Sequence, residues 1–275
     1  MTLLDFVEKY ANFRDIRQST IDQYVWSIKS LNAHLKRQAT LDDLKPDIVN
    51  AWLRSIGHHL SPFTVKSKRN QVVSLWRAAF EMGLAQSPSL VRRVKTPDRK
   101  LRVLTSAECE LLVAEANRTP GAVENYLRGP YLATLIQATL ESSLRQSDLH
   151  LLEWPDIREG RGTLVIVQKK TSRRRVVRFS PTLLERIDRW HGPHGLIWPR
   201  SNRHLVNKML KAAARRAGIG EITHTMLRRT AIHAVEKLEP GRGWLFAGHA
   251  SDATTRTWYL PAEIEYHSLP MPQLV

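Results

Sequence analysis

The sequence predicts a mainly helical protein with one small antiparallel β-sheet, an α+β chain that is divided into two domains. Three observations lead to this prediction. Apolar residues recur at helical spacing through residues 1–95, a charged stretch without periodicity follows, and two β-rich runs interrupt the later helices once. The length of 275 residues and the hydrophobic content of 42% are enough for two domains with cores of their own.

The composition indicates a polyanionic partner. Lys and Arg number 42 against 26 Asp and Glu, which gives a formal net charge of +16 and a sequence pI near 10.4. This excess favours nucleic acid over an anionic membrane, with a solvated basic surface as the remaining alternative. The single cysteine, Cys109, excludes a disulfide framework and a cysteine-rich zinc site. Because no apolar stretch is long enough for a membrane span, and the N-terminal MTLLDFVEKY is acidic, we expect a cytoplasmic protein.

Helices joined by short connections account for residues 1–95. In STIDQYVWSIKSLNAHL, apolar residues recur every three or four positions behind a cap predicted at Ser19 or Thr20. The next helix is expected to start at Pro46 and to stop at Gly57, because proline suits the first position of a helix and glycine the last. One buried face per helix predicts a compact helical domain.

The helix that follows Ser61 concentrates positive charge in its opening turns. Lys66, Lys68 and Arg69 lie there, and their long side chains can reach phosphate oxygens. We therefore predict that these three residues bind DNA. After this helix, KTPDRKLRVL has no periodicity and contains a proline, which indicates a linker over residues 96–103.

A second domain is predicted over residues 104–275, where Thr105 and Glu108 form a capping box ahead of the first helix. The stretch GTLVIVQKKTSRRRVVRFS then contains two apolar runs around a polar tip, which is typical of a β-hairpin. Helices resume behind Ser180 and continue to a C-terminal tail, PAEIEYHSLPMPQLV.

Two stretches of the second domain carry polar residues without an obvious role in a core. In LESSLRQSDLHLLEW, Arg145 follows a helix break, and Asp148 lies three residues later, where its carboxylate can orient the guanidinium; a surface ion pair is the alternative. In QKKTSRRRV, Lys169 and Lys170 lie at the hairpin tip, where an ammonium can donate a proton to a leaving oxygen; a solvated basic tip is the alternative.

Two further stretches lie closer to the C-terminus. In THTMLRRT, Arg228 shares a helix face with His224 and Thr225, because residues three and four apart are neighbours on a helix. In FAGHASDATTRTWYLP, His249 can donate to a phosphate oxygen and Tyr259 can supply a nucleophilic hydroxyl. Core packing is the alternative for the tyrosine.

These stretches occur in an order that resembles the tyrosine recombinase or phage integrase family. SSLRQSD is similar to the family's first arginine motif, KKTSRRR to its hairpin lysine, TMLRRT to its second arginine motif, FAGHAS to its Leu-Gly-His box and TTRTWY to the segment with its tyrosine. The N-terminal part resembles the family's core-binding (SAM-like) domain, so the resemblance covers nearly the whole chain. It implies that this domain and a catalytic domain embrace duplex DNA as a C-shaped clamp.

The resemblance implies a site-specific recombinase that cuts and rejoins DNA strands in integration or excision. Tyr259 is implied as the nucleophile that forms a 3′-phosphotyrosyl link, and Lys170 as the general acid. Arg145, Arg228 and His249 are implied as donors to the phosphate oxygens. Because the covalent link conserves the bond energy, no ATP or other cofactor is expected, and the sequence shows no carboxylate cluster for paired metal ions.

Three positions depart from the family's motifs. Ser143 takes the place of a glycine, and Thr225 takes the place of a histidine, with His224 one residue earlier. The family's tyrosine normally lies nine residues after the histidine of the Gly-His box, a position held here by Trp258, whereas Tyr259 is the tenth residue. We predict that Thr225 or His224 supports catalysis in place of the missing histidine.

The resemblance also implies double-stranded attachment sites, four protomers on DNA and a DNA-bending accessory protein. The tail, which contains Tyr266, is long enough to dock on its own domain or on a neighbour. Two other functions stay open. A type IB topoisomerase shares the catalytic groups but relaxes supercoils without partners, and a DNA-binding regulator descended from an integrase would have lost activity through the departures.

Overall fold

The computed structural model describes residues 1–98, 101–123, 126–159, 162–189, 195–199 and 203–259. The chain divides into two compact units, Met1–Arg99 and Lys100–Val275, and each unit has its own hydrophobic core. The predicted functional domains at 1–95 and 104–275, with the linker between them, stay a prediction. The C-terminal tail with Tyr266 lies outside the described residues.

The described residues of the first unit form helices joined by short connections, as the periodicity predicts. The helices are α1 (Leu3–Arg14), α2 (Gln18–Leu35), α3 (Pro46–Gly57) and α4 (Pro62–Glu81), with a 3-10 turn at Leu41–Asp43. The predicted cap of α2 is wrong: Arg17 occupies the N-cap position instead of Ser19 or Thr20, and it makes no side-chain cap. At α4 the prediction is confirmed, because the Ser61 hydroxyl accepts a hydrogen bond from the Thr64 N–H at 3.2 Å.

The second unit is built around one long buried helix. Its helices are α5 (Ser106–Asn117), α6 (Arg128–Ser142), α7 (Gln146–Leu149), α8 (Trp154–Glu159), α9 (Pro181–Asp188), α10 (Arg203–Arg216), α11 (His224–Leu238), α12 (Gly243–Ala247) and α13 (Asp252–Tyr259). Helix α6 contacts α5, α9, α10 and α11, and it buries Tyr131, Leu132, Leu135 and Ile136 almost completely. The C-terminal end of α6 leads directly into the stretch that contains Arg145.

Two antiparallel pairs of strands complete the second unit. They are β1 (Ala122–Val123) with β2 (Tyr126–Leu127), and β3 (Thr163–Val167) with β4 (Arg174–Arg178). The β3–β4 hairpin confirms the sequence prediction, and its inward residues Leu164, Ile166 and Val177 join the core. The fold class is confirmed, whereas the two-residue strands β1 and β2 were not predicted. In the described part of the chain, no helix is long and apolar enough to cross a membrane.

Candidate active site

The turn after α6 presents Arg145. Ser143 ends α6 in the left-handed conformation, with φ of 50°, and Arg145 is the N-cap residue of α7. The Arg145 Nη1 atom lies 3.9 Å from Oδ2 of the buried Asp148, so the carboxylate attracts the guanidinium without a close hydrogen bond. The other carboxylate oxygen, Oδ1, accepts a hydrogen bond from the backbone N–H of Lys169 at 3.1 Å. Asp148 therefore connects the arginine turn to the β3–β4 hairpin.

The tip of this hairpin carries Lys170. Gln168 closes the tip, because its N–H donates to the Arg173 carbonyl at 2.9 Å and its carbonyl accepts from the Ser172 N–H at 2.8 Å. The Gln168 side chain is fully buried, whereas Lys169 and Lys170 are exposed. Lys170 lines the same cleft as Arg145, as the role of a general acid requires.

Helix α11 brings a second arginine to the cleft. Arg228 is 3% exposed, and its Nη1 atom donates to the carbonyl of Ser143, directly before the turn that contains Arg145. Its guanidinium carbon lies 5.7 Å from the centre of the Tyr259 ring. Burial lowers the pKa of Arg228, and the adjacent Tyr259 opposes this effect in part. The second arginine and the tyrosine are therefore neighbours.

The first turn of α11 holds the two residues predicted to support catalysis. The His224 Nε2 atom lies 2.9 Å from the Thr139 hydroxyl, which itself donates to the Leu135 carbonyl at 2.7 Å, so His224 is the donor to Thr139. His224 is buried, whereas Thr225 is exposed, and both line the cleft. Of the two, Thr225 is the residue with a polar group exposed at the cleft.

The Gly-His turn follows α12. Gly248 has a φ of 64°, and a Cβ atom there would lie 2.9 Å from Gln168 Nε2 and 3.0 Å from Arg175 Cδ, so a side chain would strain the backbone and displace these neighbours. His249 comes next, with its Nδ1 atom 2.8 Å from the Thr255 hydroxyl. Burial, followed by the positive charges of Arg228 and its neighbours, lowers the pKa of His249 from 6.5 to about 4. His249 is therefore neutral at pH 7 in the free protein.

Tyr259 is the last residue of α13 and lines the cleft. Its ring lies 4.7 Å from the ring of His249, centre to centre, with the planes tilted by 46°. Tyr259, the tenth residue after the Gly-His histidine, therefore contacts both His249 and Arg228, although the family's tyrosine is normally the ninth. The side chain of Trp258, the ninth residue, lies outside the described part of the structure.

The cleft that these elements form has a volume of about 1200 Å³. Several buried nitrogen atoms in and beside it have no hydrogen-bond partner among the described residues: Arg145 Nη1, Gln168 Nε2, Arg175 Nη1, Arg228 Nε and Nη2, and His249 Nε2. A buried polar nitrogen without a partner is costly, and native proteins rarely retain one without a reason. Unpartnered nitrogens from the arginine turn, the β3–β4 hairpin, α11 and the Gly-His turn beside one tyrosine are what an anionic ligand would satisfy.

Several residues of this region were missed by sequence reasoning. Arg175 on β4 lies beside the site with its guanidinium largely buried, and Thr255 on α13 contacts His249. Helix α10 adds His204, Asn207 and Lys211 to the cleft lining. The spacing of the last three, at i, i+3 and i+7, is a helical signal that could have indicated a shared face.

The three cations predicted to bind DNA are placed differently from one another. Lys66 is exposed. Lys68 is 3% exposed, its ammonium lies 3.9 Å from the centre of the Trp26 ring, and burial lowers its pKa. Arg69 donates to backbone carbonyls, including that of Arg92 at 2.6 Å. Of the predicted set, Lys66 is the side chain that extends into solvent, whereas Lys68 contacts an aromatic ring and Arg69 contacts backbone carbonyls of the protein itself.

A mainly helical catalytic unit in which a tyrosine lies among arginines at an open cleft has the form of a tyrosine recombinase. Residues 102–264 match the phage integrase family, and the chain belongs to this family. Membership implies an enzyme that cleaves and rejoins DNA strands. Comparison of the sequence with curated proteins gives no match.

Solved structures of recombinases share the fold. A lambda integrase dimer bound to a COC′ core site aligns with a TM-score of 0.76 and 20% identity, over 98% of this chain and 81% of that one. XerH recombinase bound to a palindromic difH substrate gives 0.71 and 14%, over 92% and 80%. The Tn1549 transposon integrase with a circular intermediate DNA gives 0.71 and 14%, over 98% and 100%. At these identities the likeness shows the fold.

Proposed function

We propose that the chain is a site-specific DNA recombinase in which Tyr259 attacks a backbone phosphate. The phenolic oxygen forms the new bond to phosphorus, the bond from phosphorus to the 5′ oxygen breaks, and a 3′-phosphotyrosyl link remains. The free 5′ hydroxyl of another strand later reverses the step and seals the exchanged strands. The observation that carries this proposal is the set of buried donors without acceptors beside Tyr259.

The phosphate would be held by Arg145, Arg228 and His249. Their unpartnered nitrogens would donate to the two non-bridging oxygens, where negative charge increases as the phenolic oxygen attacks. Because His249 is neutral in the free protein, its Nε2 atom can serve as a neutral donor when the Thr255 hydroxyl donates to Nδ1. The phenolic proton of Tyr259 would leave to water in the open cleft.

Lys170 would protonate the departing 5′ oxygen. It is exposed, lines the cleft and sits on a short hairpin tip, so its ammonium can reach an oxygen on the side of the phosphate opposite the nucleophile. Asp148 would keep the tip in register with Arg145 through its bond to the Lys169 N–H. Thr225 would donate its hydroxyl to the phosphate, and His224 would act through Thr139 by fixing the first turn of α11.

Duplex DNA is the proposed partner, gripped by both units as a clamp. The net charge of +16 supports this, and so does the DNA bound in the lambda integrase, XerH and Tn1549 structures. A lambda integrase tetramer is bound to a Holliday junction, and we propose four protomers of this chain at a synapse of two attachment sites. A DNA-bending accessory protein and a cytoplasmic location belong to the same proposal. DNA affinity that does not change with salt would contradict the clamp.

The test is capture of the covalent intermediate on DNA. The full chain is incubated with pools of nicked duplexes with randomised cores, in which cleavage beside the nick releases a short fragment and traps the adduct. We expect an adduct that survives denaturation with the wild-type protein and with the control variant Tyr266→Phe, but not with Tyr259→Phe. The trapped DNA is then sequenced to give the target site.

The other outcomes separate the alternatives. An adduct that persists in Tyr259→Phe contradicts the assignment of the nucleophile. Relaxation of a supercoiled plasmid without paired sites favours the type IB topoisomerase. Salt-sensitive DNA binding without an adduct from any pool contradicts the recombinase and favours the DNA-binding regulator.

A further inference from the structure

Ser143 combines an unusual backbone conformation with a hydrogen bond from its side chain. Its φ of 50° lies in the left-handed region, which a glycine occupies without strain and a serine does not. The residue is fully buried. Its hydroxyl donates to the carbonyl of Phe246 at 3.1 Å, across the space between the end of α6 and helix α12. The serine that replaces the family's glycine therefore adds a bond that a glycine cannot make.

Arg175 meets the same point from the hairpin. Its Nη2 atom donates to the carbonyls of Ser142 and Phe246, and it lies 3.2 Å from the hydroxyl of Ser143. The guanidinium carbon lies 5.5 Å from the centre of the Phe246 ring. Burial, followed by the charges of neighbouring arginines, lowers its pKa to about 9. All of these polar contacts involve the terminal nitrogen Nη2, and a lysine side chain at this position would end one bond short of it.

These contacts join the segments that carry the proposed catalytic groups. Ser143 lies two residues before Arg145, and its carbonyl accepts from Arg228. Phe246 lies three residues before His249. Arg175 pairs with Ile166 in the hairpin whose tip holds Lys170. One cluster of side chains thus contacts the arginine turn, the Gly-His turn and the lysine hairpin.

We infer that Ser143 and Arg175 form a tie that positions the phosphate-binding groups for strand cleavage. The inference rests on the proposed function and extends it to two residues that do not line the cleft. The tie fixes the distance of the arginine turn from the hairpin and the distance of the Gly-His turn from the hairpin. Loss of the tie would leave DNA binding in place and displace Arg145 and His249 relative to the phosphate.

The test measures single-turnover cleavage on the duplex recovered from the randomised pool. At saturating protein, Arg175→Gln and Arg175→Lys should each lower the first-order cleavage rate by about 10²-fold, the cost of a displacement near 1 Å. Ser143→Gly removes the small side chain with its hydroxyl and relieves the left-handed backbone, so a loss of only about tenfold is expected. The dissociation constant for the duplex should stay close to the wild-type value in all three variants.

Two controls separate positioning from folding. Arg178→Gln removes an exposed arginine from the same strand and should keep the wild-type rate. Rates are corrected for the folded fraction by thermal unfolding at the assay temperature. Because the two residues act as a unit, Ser143→Ala combined with Arg175→Gln should be no slower than Arg175→Gln alone.

A readout without DNA distinguishes this inference from the proposed function. Amide hydrogen exchange of residues 243–249 should accelerate in Arg175→Gln but not in Arg178→Gln, because the Gly248 and His249 amides belong to the tied turn. Faster exchange with no adduct from the wild-type protein contradicts the proposed function and leaves the tie standing. Unchanged exchange, or cleavage that falls only with the folded fraction, overturns the tie.

Discussion

Acid should destabilise the catalytic unit through His249. In the folded protein its pKa is about 4, whereas a histidine in the unfolded chain titrates near 6.5. Between pH 4 and pH 6.5 the unfolded state binds a proton that the folded state does not. The contribution of neutral His249 to the free energy of unfolding is therefore fully present above pH 6.5 and is lost as the pH falls to 4. The difference in pKa corresponds to about 3 kcal/mol for a fully buried group, and to on the order of 2 kcal/mol beside a cleft that water enters.

The assay is urea unfolding of the full chain at a series of pH values from 7.5 to about 4. His249→Gln keeps a polar side chain beside Thr255 but cannot titrate, so this variant should lose less stability on acidification than the wild-type protein does. His59→Gln, which replaces an exposed histidine of the first unit, serves as the control and should follow the wild-type curve. Equal losses of stability on acidification in the wild-type protein and in His249→Gln would show that His249 does not cause the acid sensitivity.

Four further predictions concern single residues. Arg228→Lys should lower the cleavage rate by about 10²–10³-fold, since an ammonium cannot replace a buried guanidinium with several donors; single-turnover cleavage measures this. Lys66→Ala should reduce the slope of log affinity for DNA against log salt concentration by about one. Lys68→Ala should lower Tm by roughly 4–8 °C, because it removes an ammonium–aromatic contact of about 1 kcal/mol. Asp43→Asn should cost on the order of 1 kcal/mol at pH 7, because the Arg37 guanidinium lowers the pKa of Asp43 to about 2; in urea unfolding this cost should disappear as the pH falls from 3.8 to 2.

Local signals in the sequence predicted most of the fold. The capping box of Thr105 and Glu108, the serine caps at Ser61 and Ser180, and the alternation of the β3–β4 hairpin all appear in the structure. These features depend on neighbours within four residues, which a single sequence displays. The pair β1–β2 escaped prediction because strands of two residues are too short to show alternation.

The burial of Lys68 can be predicted from the helical pattern of α4. Val65, Lys68, Val72 and Trp76 share one face of α4, and all four are buried. A lysine in an apolar stripe of period 3.6 is expected to face the interior, where it needs a partner such as an aromatic ring or a carbonyl. Helical phase therefore predicts the burial of Lys68, which its charge alone does not.

The site itself needed long-range geometry. Alternation places Arg175 on the same face of β4 as Val177, but it does not show what the guanidinium contacts, because the partners of Arg175 lie about 30 and 70 positions away in the chain. The position of Tyr259 depends on how α13 follows the Gly-His turn, which motif spacing cannot give. The order of the motifs predicted the family, and the structure was needed to show which side chains meet.

The most direct test of the account is the identity of the residue that becomes linked to DNA. The adduct from the wild-type protein is digested with protease and nuclease, and the modified peptide is sequenced by mass spectrometry. We predict a nucleotide joined through its 3′-phosphate to the hydroxyl of Tyr259. A link to any other residue, Tyr266 included, or a link through a 5′-phosphate would contradict this prediction.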